Sequence, residues 1–170
     1  NYRKLHKLFE ELTEKIIDQH TLYLDSIVGY ESIHKTVLHK QNLVKEFMAG
    51  HEYGEEEFQD TCATTYESLF GRDYTVMSLS PVMKQGDVKK RTKENGRNYL
   101  LLGSQCVVSM YAYWDGYLRK EIGIAMGITT NQVKSDIWGD IRLIRNAIVH
   151  YNGVATSEMK GCRILKWFKK

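Results

Sequence analysis

Arg145, Asn146 and His150 place a permanent cation, an amide and an imidazole within one short stretch of chain. Together these groups can cleave a phosphodiester without a metal. RNA carries its own nucleophile, the 2′-hydroxyl. A base must remove its proton, and cationic or hydrogen-bonding groups must stabilise the charge that grows on the phosphorane oxygens. Histidine is the side chain whose charge changes near neutral pH, so His150 is the natural general base or acid. Arg145 offers a planar fork that pairs two phosphate oxygens. Asn146, one turn before His150, can orient the imidazole or donate to the phosphate.

The element carrying these residues is legible as a helix. Val133, Ile137, Ile141, Ile144 and Ile148 recur at helical spacing. At about 100° per residue they fall within roughly 80° of one another and predict a core stripe. Arg142, Asn146 and His150 then lie together on the opposite side, with Arg145 on the flank. Trp138, Leu143 and Val149 border that polar strip with apolar surface, which predicts a groove or a subunit interface. Asn152-Gly153 predicts the helix stop. The same pattern has a purely structural reading, because cationic side chains near a helix C-terminus favour the negative end of its dipole.

The run from Asp140 to His150 resembles the signature of the HEPN superfamily, helical domains associated with nucleotides and RNA. Its mark is R-x4-6-H, often with Asn directly after the Arg. The preceding Tyr113-Trp114-Asp115-Gly116-Tyr117-Leu118-Arg119 resembles the helix that supplies an acidic residue and a basic one four positions later. The resemblance covers roughly residues 98–153; the first half of the chain agrees only in being helical. It implies an all-α, HEPN-like helical bundle and metal-independent RNA cleavage to 2′,3′-cyclic phosphate and 5′-hydroxyl ends. It also implies a toxin or defence role, a homodimer with a composite site, and an antitoxin or regulatory partner. In one branch the motif is R-x4-H-x-Y, with a tyrosine that a partner enzyme modifies. Here Tyr151 follows His150 directly and Asn152 holds the tyrosine's place, which puts that form of control in doubt.

Within that frame Asp115 can fix the Arg or the His from the neighbouring helix, and Arg119 and Arg142 can add cations. Asp115 and Arg119 also read as a plain i,i+4 ion pair worth a few tenths of a kcal/mol. One geometric difficulty stands. Positions five apart on a straight helix diverge by about 140°, so Arg145 and His150 do not converge on one phosphate. Either the helix distorts before Tyr151, or two copies of the motif face each other across a dimer axis.

Composition sets the remaining bounds. The chain has 170 residues, 42% hydrophobic and 26% charged, one proline and a net charge of +3. That is one domain's worth, read here as a single domain over 1–170. It argues for long helices and against a sandwich or barrel. The mild charge permits a nucleic-acid partner without requiring one. Cys62, Cys106 and Cys162 show no C-x-x-C and fit buried thiols in a reducing cytoplasm better than a disulfide frame or zinc site. The uncharged stretch from Asn98 to Trp114 is too polar for a membrane span and predicts a buried helix. The residues call for no metal or cofactor. His34 and His39 point apart on a helix, and His51-Glu52 lacks the second histidine of a zinc protease.

Along the chain, periodicity predicts a helix from Tyr2 to about Ser26 with Leu5, Leu8, Phe9, Leu12, Ile16 and Ile17 inward. A second runs to about Met48 with Ile33, Val37, Val44 and Phe47 inward, the two broken at Gly29. A third helix is expected from Glu55 to about Phe70, and a short strand over Thr75 to Leu79. From about 71 to 97 the periodicity fails, which predicts a basic loop insertion. Its Lys89, Lys90, Arg91 and Lys93 form either a solvated loop or a phosphate-contacting flap. Two rivals to the nuclease reading remain. One is a HEPN-like module that only binds RNA or dimerises. The other is a DNA-binding helix-turn-helix, with Met126-Gly127-Ile128 as its turn and Thr129 to Gln132 opening the second helix.

Overall fold

A computed structural model describes residues 2–64, 67–68, 77–78 and 82–165, the segments 67–68 and 77–78 by their backbone alone. The protein is all-α. Six α-helices run over Tyr2–Phe47 (α1), Glu56–Thr61 (α2), Gln85–Thr92 (α3), Arg97–Tyr113 (α4), Arg119–Met126 (α5) and Asp136–Tyr151 (α6) among the described residues. Strand content is two short antiparallel pairs, Ala63–Thr64 (β1) with Met83–Lys84 (β4), and Glu67–Ser68 (β2) with Met77–Ser78 (β3). The expected strand near Thr75 to Leu79 is therefore present as β3. The chain divides into two compact units. One is Asn1–Asp25 with Leu101–Lys170, and the other is Ser26–Leu100. The helices α1 and α4 each contribute to both.

Several sequence expectations are corrected. The expected pair of N-terminal helices is one continuous helix, and Gly29 lies inside it with open space around its Cα. A single helical glycine costs only about 1 kcal/mol relative to alanine, too little to break a helix with many turns on either side. The third helix ends at Thr61, because Cys62 turns to extended backbone and β1 begins; residues 65–66 and 69–70 of that expectation lie outside the described ones. The basic span about 71–97 is not one loop. Its described part folds into β3, β4, α3 and the start of α4, while 71–76 and 79–81 lie outside the described residues.

In the first unit the core gathers Leu8, Trp114, Leu118, Ile122, Ala125 and Val133, with Leu5, Leu12, Ile128 and Trp138 packed against it. Complete burial of a side chain such as Leu118 stabilises by about 1.5–3 kcal/mol. Phe9, Ile16 and Ile17, expected inward, are exposed, as are Val44 and Phe47 of the second unit. The apolar arc of α1 is wider than the surface its neighbours cover. Between α4 and α5 the chain makes a π-helical turn, Trp114–Leu118. Such insertions often sit at functional sites. The turn is tied to α1 through the Tyr117 hydroxyl, which donates to Glu11 at 3.1 Å, while Lys4 pairs with Glu121 at 2.9 Å.

The second unit is held by a polar network. Lys89 is buried and pairs with Glu56 at 2.6 Å and Asp60 at 2.7 Å. It also donates to Gln41 Oε1 at 3.0 Å, and Gln41 donates to Asp60 at 2.9 Å. Gly86 is required here, since a Cβ would come within 2.9 Å of the Asp60 side chain. Burial pushes the Asp60 carboxyl up, but the hydrogen bonds from Lys89 and Gln41 and the ammonium charges outweigh it and hold it below its usual value. Burial likewise disfavours the Lys89 ammonium, yet its bonds to Asp60 and Glu56 leave it above the usual lysine value.

Candidate functional site

The motif helix begins later than the periodicity predicts. After α5, Gly127 takes a left-handed conformation (φ 71°) that ends the helix. Thr129 donates its N–H and hydroxyl to Gln132 Oε1, both at 2.9 Å, closing a single 3₁₀ turn. Val133 is buried in this connector, not on α6. The connector runs from Gly127 to Ser135, longer than the three or four residues of a helix-turn-helix. The second helix expected to open at Thr129 thus starts only at Asp136.

On α6 the fully buried residues are Asp140 and Ala147. Ile141, Ile144 and Ile148 are half-buried and Ile137 is exposed. Burial is therefore rotated by about 70° from the centre of the isoleucine stripe. Asp140 is anchored on that buried side. Its carboxylate, 2% exposed, accepts backbone N–H groups from Arg163 at 2.9 Å, Ile164 at 2.7 Å and Leu165 at 2.9 Å. Arg163 adds a side-chain bond to Asp136 at 2.9 Å. Burial pushes the Asp140 carboxyl up, but the three N–H donors and the Arg163 charge hold it below its usual value. The apolar periodicity gives no sign of this carboxylate's role.

Within this frame the motif residues take definite places. Arg145 and Asn146 are half-buried, and Arg145 Nη1 donates to Asn146 Oδ1 at 3.1 Å. Asn146 thus holds the guanidinium of its neighbour. His150 is exposed in the last turn and makes no side-chain hydrogen bond among the described residues. The helix stays α-helical through Tyr151 and stops at Asn152 (φ 53°) and Gly153 (φ 78°), the expected stop. Distortion before Tyr151, one of the two ways to bring Arg145 and His150 together, is therefore absent.

The auxiliary residues divide. Asp115 pairs with Arg119 at 3.2 Å rather than with Arg145 or His150. Arg119 also donates from Nε to the Val133 carbonyl at 3.1 Å, so it fastens the connector. Arg142 is exposed. Tyr111 joins this group unforeseen. Burial and the Asp115 charge raise its hydroxyl above the usual tyrosine value, opposed by Arg142, Arg119 and Arg145. Its phenol thus stays a neutral donor among three guanidinium groups. The signal was present in the i,i+4 spacing of Tyr111, Asp115 and Arg119, which puts them on one helical face.

The other site expectations fare unevenly. Trp138 is stacked on Trp114, ring centroids 4.9 Å apart and 3° from parallel, and packs against the core. It is thus largely accounted for inside one chain, and Leu143 is half-buried. Val149 is exposed on α6 as a candidate interface residue. Of the basic span, Lys89 is spent on its buried ion pairs and is unavailable to a phosphate. Arg91 donates to Asn98 at 3.1 Å, and Lys90 and Lys93 are exposed. Cys62, Cys106 and Cys162 form no disulfide. Among the described residues no group of His, Cys, Asp and Glu could hold a metal ion, and no helix is long and apolar enough to cross a membrane.

Fold and site together define an all-α protein with a cationic motif at the C-terminal end of α6. Compared with protein-family models, curated proteins and solved structures, the chain matches none.

Proposed function

We propose that the protein is a metal-independent endoribonuclease of the HEPN type, acting in the cytoplasm as a toxin or defence effector. The observation that carries the reading is the Arg145-Asn146 pair one turn from an exposed, unengaged His150. Asn146 presents the Arg145 guanidinium to two phosphate oxygens, as a planar fork requires. His150 takes the proton from the 2′-hydroxyl or returns one to the leaving 5′-oxygen. The phosphorus–oxygen bond to the 5′-oxygen breaks as the 2′-oxygen bond forms, leaving a 2′,3′-cyclic phosphate.

Because α6 is regular through Tyr151, Arg145 and His150 of one chain diverge by about 140°. A productive site then needs Arg145 of one copy opposite His150 of another, an isologous arrangement about a two-fold axis. Exposed Val149 lies beside His150 and is the apolar residue best placed to meet a second copy. An antitoxin-like partner would act by covering the same end of α6. The test is purified protein on mixed RNA, with product ends mapped and His150→Ala run alongside. Cyclic phosphate ends from the wild type and none from the variant support the reading. Intact RNA with retained RNA binding would favour the non-catalytic module instead.

A further inference from the structure

The N-terminal part of α1 carries a face that the first unit leaves uncovered. Tyr2, His6, Phe9, Thr13, Ile17, His20 and Leu24 follow one another at three or four residues and fall within roughly 80° of arc. All seven are exposed, as is Ile16 at their edge. None is Lys, Arg, Asp or Glu, although the solvent side of a surface helix ordinarily carries charge. The core side of α1 is separate and belongs to Leu5, Leu8 and Leu12. A single exposed apolar residue needs no explanation. A continuous uncharged stripe about 33 Å long marks a contact surface.

The order of the stripe says what covers it. Counted outward from Thr13, Phe9 and Ile17 stand four residues away, His6 and His20 seven, and Tyr2 and Leu24 eleven. The stripe thus reads apolar, His, apolar, Thr, apolar, His, apolar in either direction. A two-fold axis reverses one helix against its copy, so an isologous contact needs this symmetry. The spacing averages close to the α-helical period, so the stripe runs along α1 and two copies can touch over its whole length. A groove of about 680 Å³ beside Tyr2 and Phe9 leaves room for an opposing side chain. Tyr2, Phe9, Ile16, Ile17 and Leu24 are 46–83% exposed. At roughly 100 Å² each they bring about 1,000 Å² of apolar surface to the pair, the size of a weak specific contact.

We infer that α1 pairs antiparallel with α1 of a second copy, about a two-fold axis at Thr13. Phe9 of one chain meets Ile17 of the other, His6 meets His20, and Tyr2 meets Leu24. An unrelated helix would bury the apolar residues equally well, but it would not call for the symmetry about Thr13. The contact uses none of Arg145, Asn146, Val149 or His150. It is therefore additional to the contact at the end of α6 that the ribonuclease reading requires, and it does not rest on that reading.

The test is sedimentation of the full chain at about 2 µM and about 100 µM, a span suited to a weak contact of this size. The wild type is expected to double in mass across that span, from whatever state the end of α6 sets at the lower concentration. Phe9→Glu and Ile17→Lys each replace an exposed side chain, so the helical circular-dichroism signal should stay. Each alone should abolish the doubling, because it buries an unpaired charge in the contact. Combined, they should restore it. The axis sets the introduced carboxylate of one chain opposite the introduced ammonium of the other, whereas within one helix the two positions lie about 12 Å apart. A constant wild-type mass overturns the assignment and leaves the stripe to a helix from another protein. So does a doubling that survives Phe9→Glu, or a double variant that fails to associate. RNA cleavage is a separate readout, so either result can fail while the other stands.

Discussion

Replacing Asp140 with Asn probes the joint on which the motif helix depends. The carboxylate accepts three backbone N–H groups at 2.7–2.9 Å from residues 163–165 and is almost wholly buried. The amide keeps one acceptor oxygen and turns an NH₂ donor toward N–H donors it cannot bond. Asp140 Oδ2 accepts from both Ile164 and Leu165, and Oδ1 from Arg163. At least one bond is lost whichever way the amide sits. Hydrogen bonds to a charged acceptor contribute about 1.5–3 kcal/mol each. The expected loss is therefore about 3 kcal/mol, or roughly 6–12 °C in Tm for a chain of this size. The pH dependence has a fixed sign. The folded carboxyl lies below its usual value, so its contribution is complete above the unfolded value near ~3.9 and is lost as pH falls through the folded one. Thermal melts of wild type and Asp140→Asn at neutral pH and in acid should converge below that range. A variant within about 1 °C of wild type at neutral pH, or a gap that stays constant into strong acid, would refute the reasoning.

Lys89→Met should cost about 2–3 kcal/mol in urea denaturation, because buried Gln41 Oε1 loses its donor and half-buried Asp60 keeps Gln41 but loses its ammonium partner; a loss below about 0.5 kcal/mol would place the network among neutral surface contacts. Since Lys89 lies above its usual value and Asp60 below, this network should hold across the neutral range. The Lys89 part should be lost as pH rises through the folded lysine value, and the Asp60 part as pH falls through the folded aspartate one. Arg145→Lys should abolish RNA cleavage, since an ammonium lacks the bidentate fork and the bond to Asn146; wild-type rates in that variant would remove Arg145 from the chemistry. Cleavage should survive EDTA and spare DNA, whereas activity restored only by magnesium or manganese would point to a metal-dependent nuclease. Val149→Glu should leave the fold intact, because that side chain is exposed, and should lose dimer and cleavage together in sedimentation and product assays. A wild-type monomer that cuts RNA would sink the composite site. Trp138 is unsuited to that test, as its stacking on Trp114 makes it part of the core.

Local chemistry in the sequence was enough to determine the helical class, the stop at Asn152-Gly153 and the adjacency of Arg145, Asn146 and His150. Each depends on residues within one or two turns of each other. The ion pair of Asp115 with Arg119 and the short strand β3 were legible for the same reason. Periodicity misplaced the start of α6, the break at Gly29 and the inward face of α1. Apolar spacing reports which side of a helix can be buried, not how much of it a neighbour covers. What only the tertiary structure decided was the use of each polar group. Lys89 reads as a free cation until Glu56 and Asp60 are brought to it from more than twenty residues away. That Trp138 stacks on Trp114 is likewise invisible to local spacing. Asp140 is buried where the backbone of residues 163–165 folds back to meet its carboxylate. A buried charge must find its partners wherever the chain supplies them, and those partners lie far beyond the reach of any local spacing.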